Sequence, residues 1–297
     1  ASGAVSVTQA AGSITSNNRG ILAQAGTGGV TVTTSGTVQS ALEGIFAFST
    51  VSGVGNGNTS VTQNAGTITS TTQSGVVVQG YNSLTVTING GTTTGATGFA
   101  GVQFGTAGSF AGVTNTVTNA GTIQNSGGVN QLAILGFGGN EAVTNSGTVI
   151  GSVDLGAGTN SFMNQASASF SAGSIVNLGG GNTLTNAGTL APGGVGTVMT
   201  TALTGSLVQT SSGNFRVDIN QTGTGVDLVN VSGTANFAGL VTPNVISVTN
   251  TINSAMLATG SSVTNTAAVV DTATLDFSIG VVGGNQLYVN RGLGFGR

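Results

Sequence analysis

The stretch VTNAGTI, Val117 to Ile123, returns in near copies along the chain. VTQAAGSI stands at Val7–Ile14, VTQNAGTI at Val61–Ile68, VTNSGTV at Val143–Val149 and LTNAGTL at Leu184–Leu190. No copy contains His, Cys, Lys or a carboxylate. A phrase without chemistry that is nevertheless repeated has to serve architecture.

Counting each rung from its first apolar residue gives starts at Val7, Val30, Val61, Leu84, Val117, Val143, Phe162 and Leu184. The separations are 23, 31, 23, 33, 26, 19 and 22 residues. Periods of about 20 to 50 residues mark solenoids, propellers or arrays. A coil with loops of variable length tolerates such uneven spacing better than a helical repeat does. Within each rung the apolar pattern has period two, and a second apolar run follows: GILAQA at Gly20–Ala25, GIFAFS at Gly44–Ser49, GVVVQG at Gly75–Gly80, QLAILGF at Gln131–Phe137. These read as short strands between Gly, Asn and Ser turns, two or three per rung. Helix-forming windows are nearly absent.

One rung cannot bury its own apolar residues, but rungs stacked about 4.8 Å apart pile them into continuous ladders. Asn at matching positions can then form amide ladders, and Gly is expected at positive φ in the corners. The expected fold is all-β: a parallel β-solenoid of about eight irregular rungs over residues 1–194, followed by a β-rich region over 195–297 that has lost the phrase.

Composition agrees. Gly supplies 53 of the 297 residues, and charged residues are 4% against about 25% in ordinary globular chains. The surface is therefore wetted by Thr, Ser, Asn, Gln and backbone. With 38% hydrophobic residues and two prolines, the strand-forming Val, Ile, Leu and Thr argue for a fold over disorder. The absence of Cys excludes disulfides and thiol chemistry. Four Arg and no Lys leave no basic run for nucleic acid, and no apolar span is long enough for a transmembrane helix. The opening ASGAVS reads as an N-terminus left after removal of a signal peptide.

GSVDLGAGTNSFMN (Gly151–Asn164) and SIVNLGGGNTLTNAGTLAPG (Ser174–Gly193) give strings of the form GTVxGxVxLGxGxN followed by LTNAGTLxPG. These resemble the passenger domains of bacterial autotransporters. GSLVQTSSGNFRVDINQTGTGVDLVNVSGTANFAGLV (Gly205–Val241) is similar to that family's C-terminal stability region, and LDFSIGVVGGNQLYV (Leu275–Val289) to its final hairpin. The resemblance implies a right-handed β-helix displayed outside the cell. One departure is that no run of outer-membrane barrel strands follows here.

The candidate chemical sites are weak. GAGTNSF (Gly156–Phe162) and GGGNTL (Gly179–Leu184) approach a calcium-binding Gly-rich repeat, but Asn160 and Asn182 stand near where carboxylates belong, and Asp154 is the nearest acid. Tight Gly-Asn corners explain them as well, leaving Asp154 as a marginal Ca²⁺ candidate. Glycan cleavage needs converging carboxylates. Arg216 and Asp218, two apart in NFRVDIN, read instead as an exposed salt bridge, and Asp227 as a structural turn. With no His and no Lys, nucleophilic catalysis lacks a base, and GTGG and GGGN lack the Lys of a phosphate loop. The twelve Phe read mainly as core. No catalytic residue and no cofactor are expected.

Function is then expected in the scaffold itself, as a non-enzymatic, self-associating protein of the bacterial cell surface, acting in adhesion, aggregation or biofilm. The expected partners are further copies and surface glycans. Only six residues precede the first phrase, so Val5, Val7 and Ile14 are expected on an exposed first coil. The C-terminal residues Leu275, Phe277, Leu287 and Val289 are the expected opposite contact. The alternative is a filament subunit stacking head to tail by strand addition, and a minor one a glycan-active enzyme.

Overall fold

A computed structural model describes residues 3–50, 57–105, 113–220, 225–247, 254–272 and 275–293, so the first two residues of ASGAVS lie outside it. The described residues form an all-β parallel solenoid. Its first face is an 11-stranded sheet that begins with Val5–Gln9 and Val30–Thr34 and ends with Thr234–Phe237 and Ser262–Asn265. The second and third faces belong to a 22-stranded sheet, because strands such as Thr148–Asp154 and Ser169–Asn177 run unbroken around the corner between them.

VTNAGTI is the end of one strand (Thr114–Asn119), a corner, and the start of the next (Thr122–Asn125). Every rung start read from the sequence lies on the first face. Register refines the ruler: Val7 pairs with Val32 and Val61 with Val86, not with Val30 or Leu84. A slip of two residues keeps the same side chains inward, which is why the apolar pattern alone could not detect it. The apolar column then runs Val7, Val32, Val61, Val86, Val117, Val143, Phe162, Leu184, Leu207, Ala235, Val263. A second column faces it from the second face, with Ile68, Ile123, Phe170 and Phe215 all fully buried. Phe162 and Phe170 stack across the core with centroids 4.7 Å apart. Each buried Val, Ile, Leu or Phe contributes about 1.5–3 kcal/mol. The ladder continues past residue 194 without a break, since Thr183–Asn186 pairs with Ser206–Gln209 in parallel.

Beside the apolar column runs a column of amides. Asn119 Nδ2 donates to Asn145 Oδ1, Asn145 to Asn164, and Asn164 to Asn186, each at 2.8 Å; Asn186 donates to Gln209 Oε1 at 3.2 Å. Each Asn also reaches the backbone of the next coil, as Asn119 Nδ2 does to Thr148 O at 3.0 Å, and Asn119 and Asn145 hold their own corners, Asn119 Oδ1 accepting the Gly121 N–H at 3.1 Å. These four Asn are fully buried, and the ladder is what satisfies them. Gln63 does the same work earlier, donating to Thr92 O at 3.2 Å.

The corner glycines divide in two. Gly91 has φ +82°, as expected for a left-handed turn. Gly121, Gly147 and Gly188 are outside the left-handed region, and their reason is contact: a Cβ on Gly147 would lie 2.2 Å from the Gly121 carbonyl oxygen. Corner stacks on corner too closely for any side chain.

At the far end the solenoid changes character. Leu275–Val282 and Gln286–Leu293 form an antiparallel hairpin, whose second strand pairs antiparallel with Ser254–Thr259. Its turn reaches the first face, where Val263 N–H donates to Gly284 O at 2.8 Å.

Candidate association surface

The outer side of the first face is the most regular surface of the molecule. One outward column reads Ser6, Thr31, Ser60, Thr85, Thr116, Ala142, Ser161, Thr183, Ser206, Thr234, Ser262. The next, two residues along, reads Thr8, Thr33, Thr62, Thr87, Thr118, Thr144, Met163, Thr185, Val208, Asn236, Thr264. Neither column holds a charge. Neighbouring hydroxyls touch along the column, as in Thr116 Oγ1 to Thr85 Oγ1 at 3.3 Å. The sequence signal is the SVT, TVT and TLT triplets, which set a hydroxyl on either side of each inward Val or Leu.

The two ends differ. Val5, Val7 and Ile14 are partly buried, whereas Val30 and Val32 in the coil above are fully buried. Leu275, Phe277, Leu287 and Val289 are between 0% and 8% exposed and belong to the chain's own core. The exposed apolar residues of the hairpin are instead Val281 and Val282, beside its turn.

Asp154 is occupied by the corner it sits on. Its Oδ1 accepts the Gly156 N–H at 3.0 Å and the Asn177 amide at 2.8 Å. Asn160 and Asn182 turn their amide nitrogens, not their oxygens, toward loop carbonyls, at 3.0 Å to Leu178 O and 2.9 Å to Gly158 O. A cation at either corner would meet donor groups. Among the described residues no three Asp or Glu cluster.

The expected exposed salt bridge between Arg216 and Asp218 is corrected. Asp218 is 1% exposed; its carboxylate takes the Thr197 N–H at 2.8 Å and the Asn244 amide at 2.5 Å. The segment around Thr197 covers Asp218 and supplies a backbone donor there, and among the described residues Arg216 forms no ion pair with it. Asp227, also buried, accepts the N–H groups of Met199 at 2.7 Å and Asp218 at 2.8 Å. It pins two coils, as a structural turn should. Burial pushes its pKa up to about 7; the two N–H bonds pull the other way, and charged Asp218 adds to the rise. Glu141, fully buried on the first face, is also raised by burial, opposed by its bond from Asn115 Nδ2 at 3.2 Å. Glu141 stands on another coil, whereas Asp218 and Asp227 adjoin one another on a single coil, both buried.

Not every Phe is core. Phe46 and Phe48 point outward and are half-exposed, and Phe99 is exposed. Among the described residues no helix is long and apolar enough to cross a membrane. No known protein family matches the sequence, and no curated protein matches it.

Proposed function

We propose that the chain is a non-enzymatic structural protein of the bacterial cell surface whose first face joins copies side by side. The observation that carries this reading is the pair of uncharged hydroxyl columns running the length of the solenoid. A parallel sheet with a Ser or Thr in one column or the other at every coil offers a donor and an acceptor at each step. A second copy laid along it repeats each contact many times, so individually weak contacts accumulate. Scarcity of charge removes the repulsion that would keep like copies apart. The resemblance of the LGxGxN and LTNAGTLxPG strings to autotransporter passengers supports an extracellular setting.

The second reading, copies stacked end to end, is favoured by the half-buried Val5 and Val7. The two separate by mutation. Thr85→Lys with Thr116→Lys places repelling charges on the hydroxyl columns without touching the core; Val7→Lys charges the first coil. Sedimentation and negative-stain microscopy of the purified chain are expected to show lateral bundles that the double Thr variant disperses and Val7→Lys leaves intact. The opposite pattern supports end-to-end filaments, and a wild-type chain that stays monomeric at high concentration sinks both.

A further inference from the structure

Where the third face turns toward the first lies a cleft of about 230 Å³ lined by Phe48, Ser49, Thr50, Gln79, Gly80 and Tyr81. We propose that it binds a neutral pyranose unit of a glycan. Three independent observations converge on this chemistry.

The first is an aromatic platform that packing does not explain. Phe46 and Phe48 point outward from the strand Ile45–Ser49, their rings stacked with centroids 4.6 Å apart and planes at 17°. Ring faces carry negative partial charge, and the C–H groups on one face of a pyranose carry positive partial charge. Phe48 is therefore a surface on which a sugar ring can lie flat.

The second is the pair of amides beside it. Register places Gln24 on one side of Phe48 and Gln79 on the other. With strands about 4.8 Å apart, the two amides flank the ring at the distance where the hydroxyls of a stacked sugar would project. An apolar face with a polar rim is what a pyranose presents, and not what a lipid chain presents.

The third is a floor that lacks partners. Ser49 is 5% exposed and Thr59 1% exposed, and among the described residues neither hydroxyl has a hydrogen-bond partner. A buried polar group left unpaired costs about 1–3 kcal/mol, so such a pair beside one cleft points to a group that completes them. Gly80 makes the space: a Cβ there would stand 2.7 Å from Ser49 Oγ and 3.2 Å from Thr59 Oγ1.

Charge selects the neutral class. The nearest cation, Arg19, lies 4.9 Å over the Phe46 ring and is already paired, its Nε donating to Glu43 Oε2 at 2.8 Å. No unpaired charge is left on this patch to reward an anionic sugar.

Saturation-transfer NMR on the full chain tests this, with maltotriose, cellotriose and chitotriose as neutral probes and trigalacturonate as the charged one. Transfer is expected to the ring C–H protons of at least one neutral trisaccharide, with millimolar affinity. Phe48→Ala removes the platform and Gly80→Ala fills the floor; each is expected to weaken binding at least tenfold. Phe48 points away from the core, so an unchanged β-type circular dichroism spectrum shows that the fold survives. The proposal falls if no neutral probe receives saturation, if only trigalacturonate does, or if Phe48→Ala binds as wild type. None of these outcomes bears on lateral association, which uses the outward side chains of the first face and neither Phe48 nor Gly80.

Discussion

The middle coils and the last coils share one architecture and hold it by opposite means. Between Thr114 and Asn186, like stacks on like: Asn119, Asn145, Asn164 and Asn186 bond one another in a row. Beyond Gln209 the same column reads Phe237 and then Asn265, and the amide row stops. There the coils are joined by unlike partners, Asp227 with the Met199 and Asp218 N–H groups, and by an antiparallel hairpin across the end. Contact between identical residues requires the same residue at every turn and so writes a repeat into the sequence. Contact between unlike residues writes none, although the parallel pairing is the same.

The largest effect is expected where the comparison is most direct, at two Asn of one column. Asn145→Ala removes the acceptor of Asn119 and the donor to Asn164 Oδ1 and Ser169 O, all inside the core. Several buried groups are orphaned at about 1–3 kcal/mol each, so a loss of about 4 kcal/mol is expected. Asn265, half-buried, accepts among the described residues only the Ala267 N–H at 3.1 Å, and Asn265→Ala is expected to cost about 1 kcal/mol. Urea unfolding of both variants measures the difference. Equal costs would mean that the row adds nothing beyond a corner cap.

Acid response should come next, through Asp227 in the last coils and Glu141 in the middle ones. Burial holds Asp227 at about 7, well above an ordinary carboxylate. Between about pH 4 and pH 7 the folded chain therefore keeps a proton that the unfolded chain has lost. The contribution is fully present below pH 4 and lost as pH rises through 7, with a limiting slope of about 1.4 kcal/mol per pH unit. Glu141, also raised by burial, acts in the same direction. Urea midpoints measured from pH 4 to pH 8 are expected to fall. Asp227→Asn should lower stability at pH 4, because its amide nitrogen replaces one of two accepting oxygens, yet flatten the decline. A midpoint that rises with pH would show the N–H bonds outweighing burial.

The same contrast explains what was legible. Rungs, strands, corners and the amide ladder followed from VTNAGTI because they are made by residues meeting their own copies. The hidden carboxylate at Asp218 was not, since NFRVDIN does not tell which segment covers it; the Thr197 N–H that claims it lies 21 residues away. The outward Phe46 and Phe48 escaped for a related reason. In GIFAFS both alternating sets are apolar, so period two no longer tells inside from outside.

The smallest effect concerns the first coils, which hold the described ion pair Arg19–Glu43 at 2.8 Å, with side chains 35% and 15% exposed. A pair so placed is screened by water and salt, and Arg19→Ala is expected to cost less than about 1 kcal/mol. Both comparisons above rest on hydrogen bonds and burial rather than on charge at the surface. Raising salt to about 1 M shortens screening to about 3 Å and should therefore leave the Asn145→Ala penalty unchanged while erasing that of Arg19→Ala. If salt instead reduced the Asn145→Ala penalty, the amide row would owe its strength to charge, and the division between self-stacking coils and heterogeneous ones would have to be redrawn.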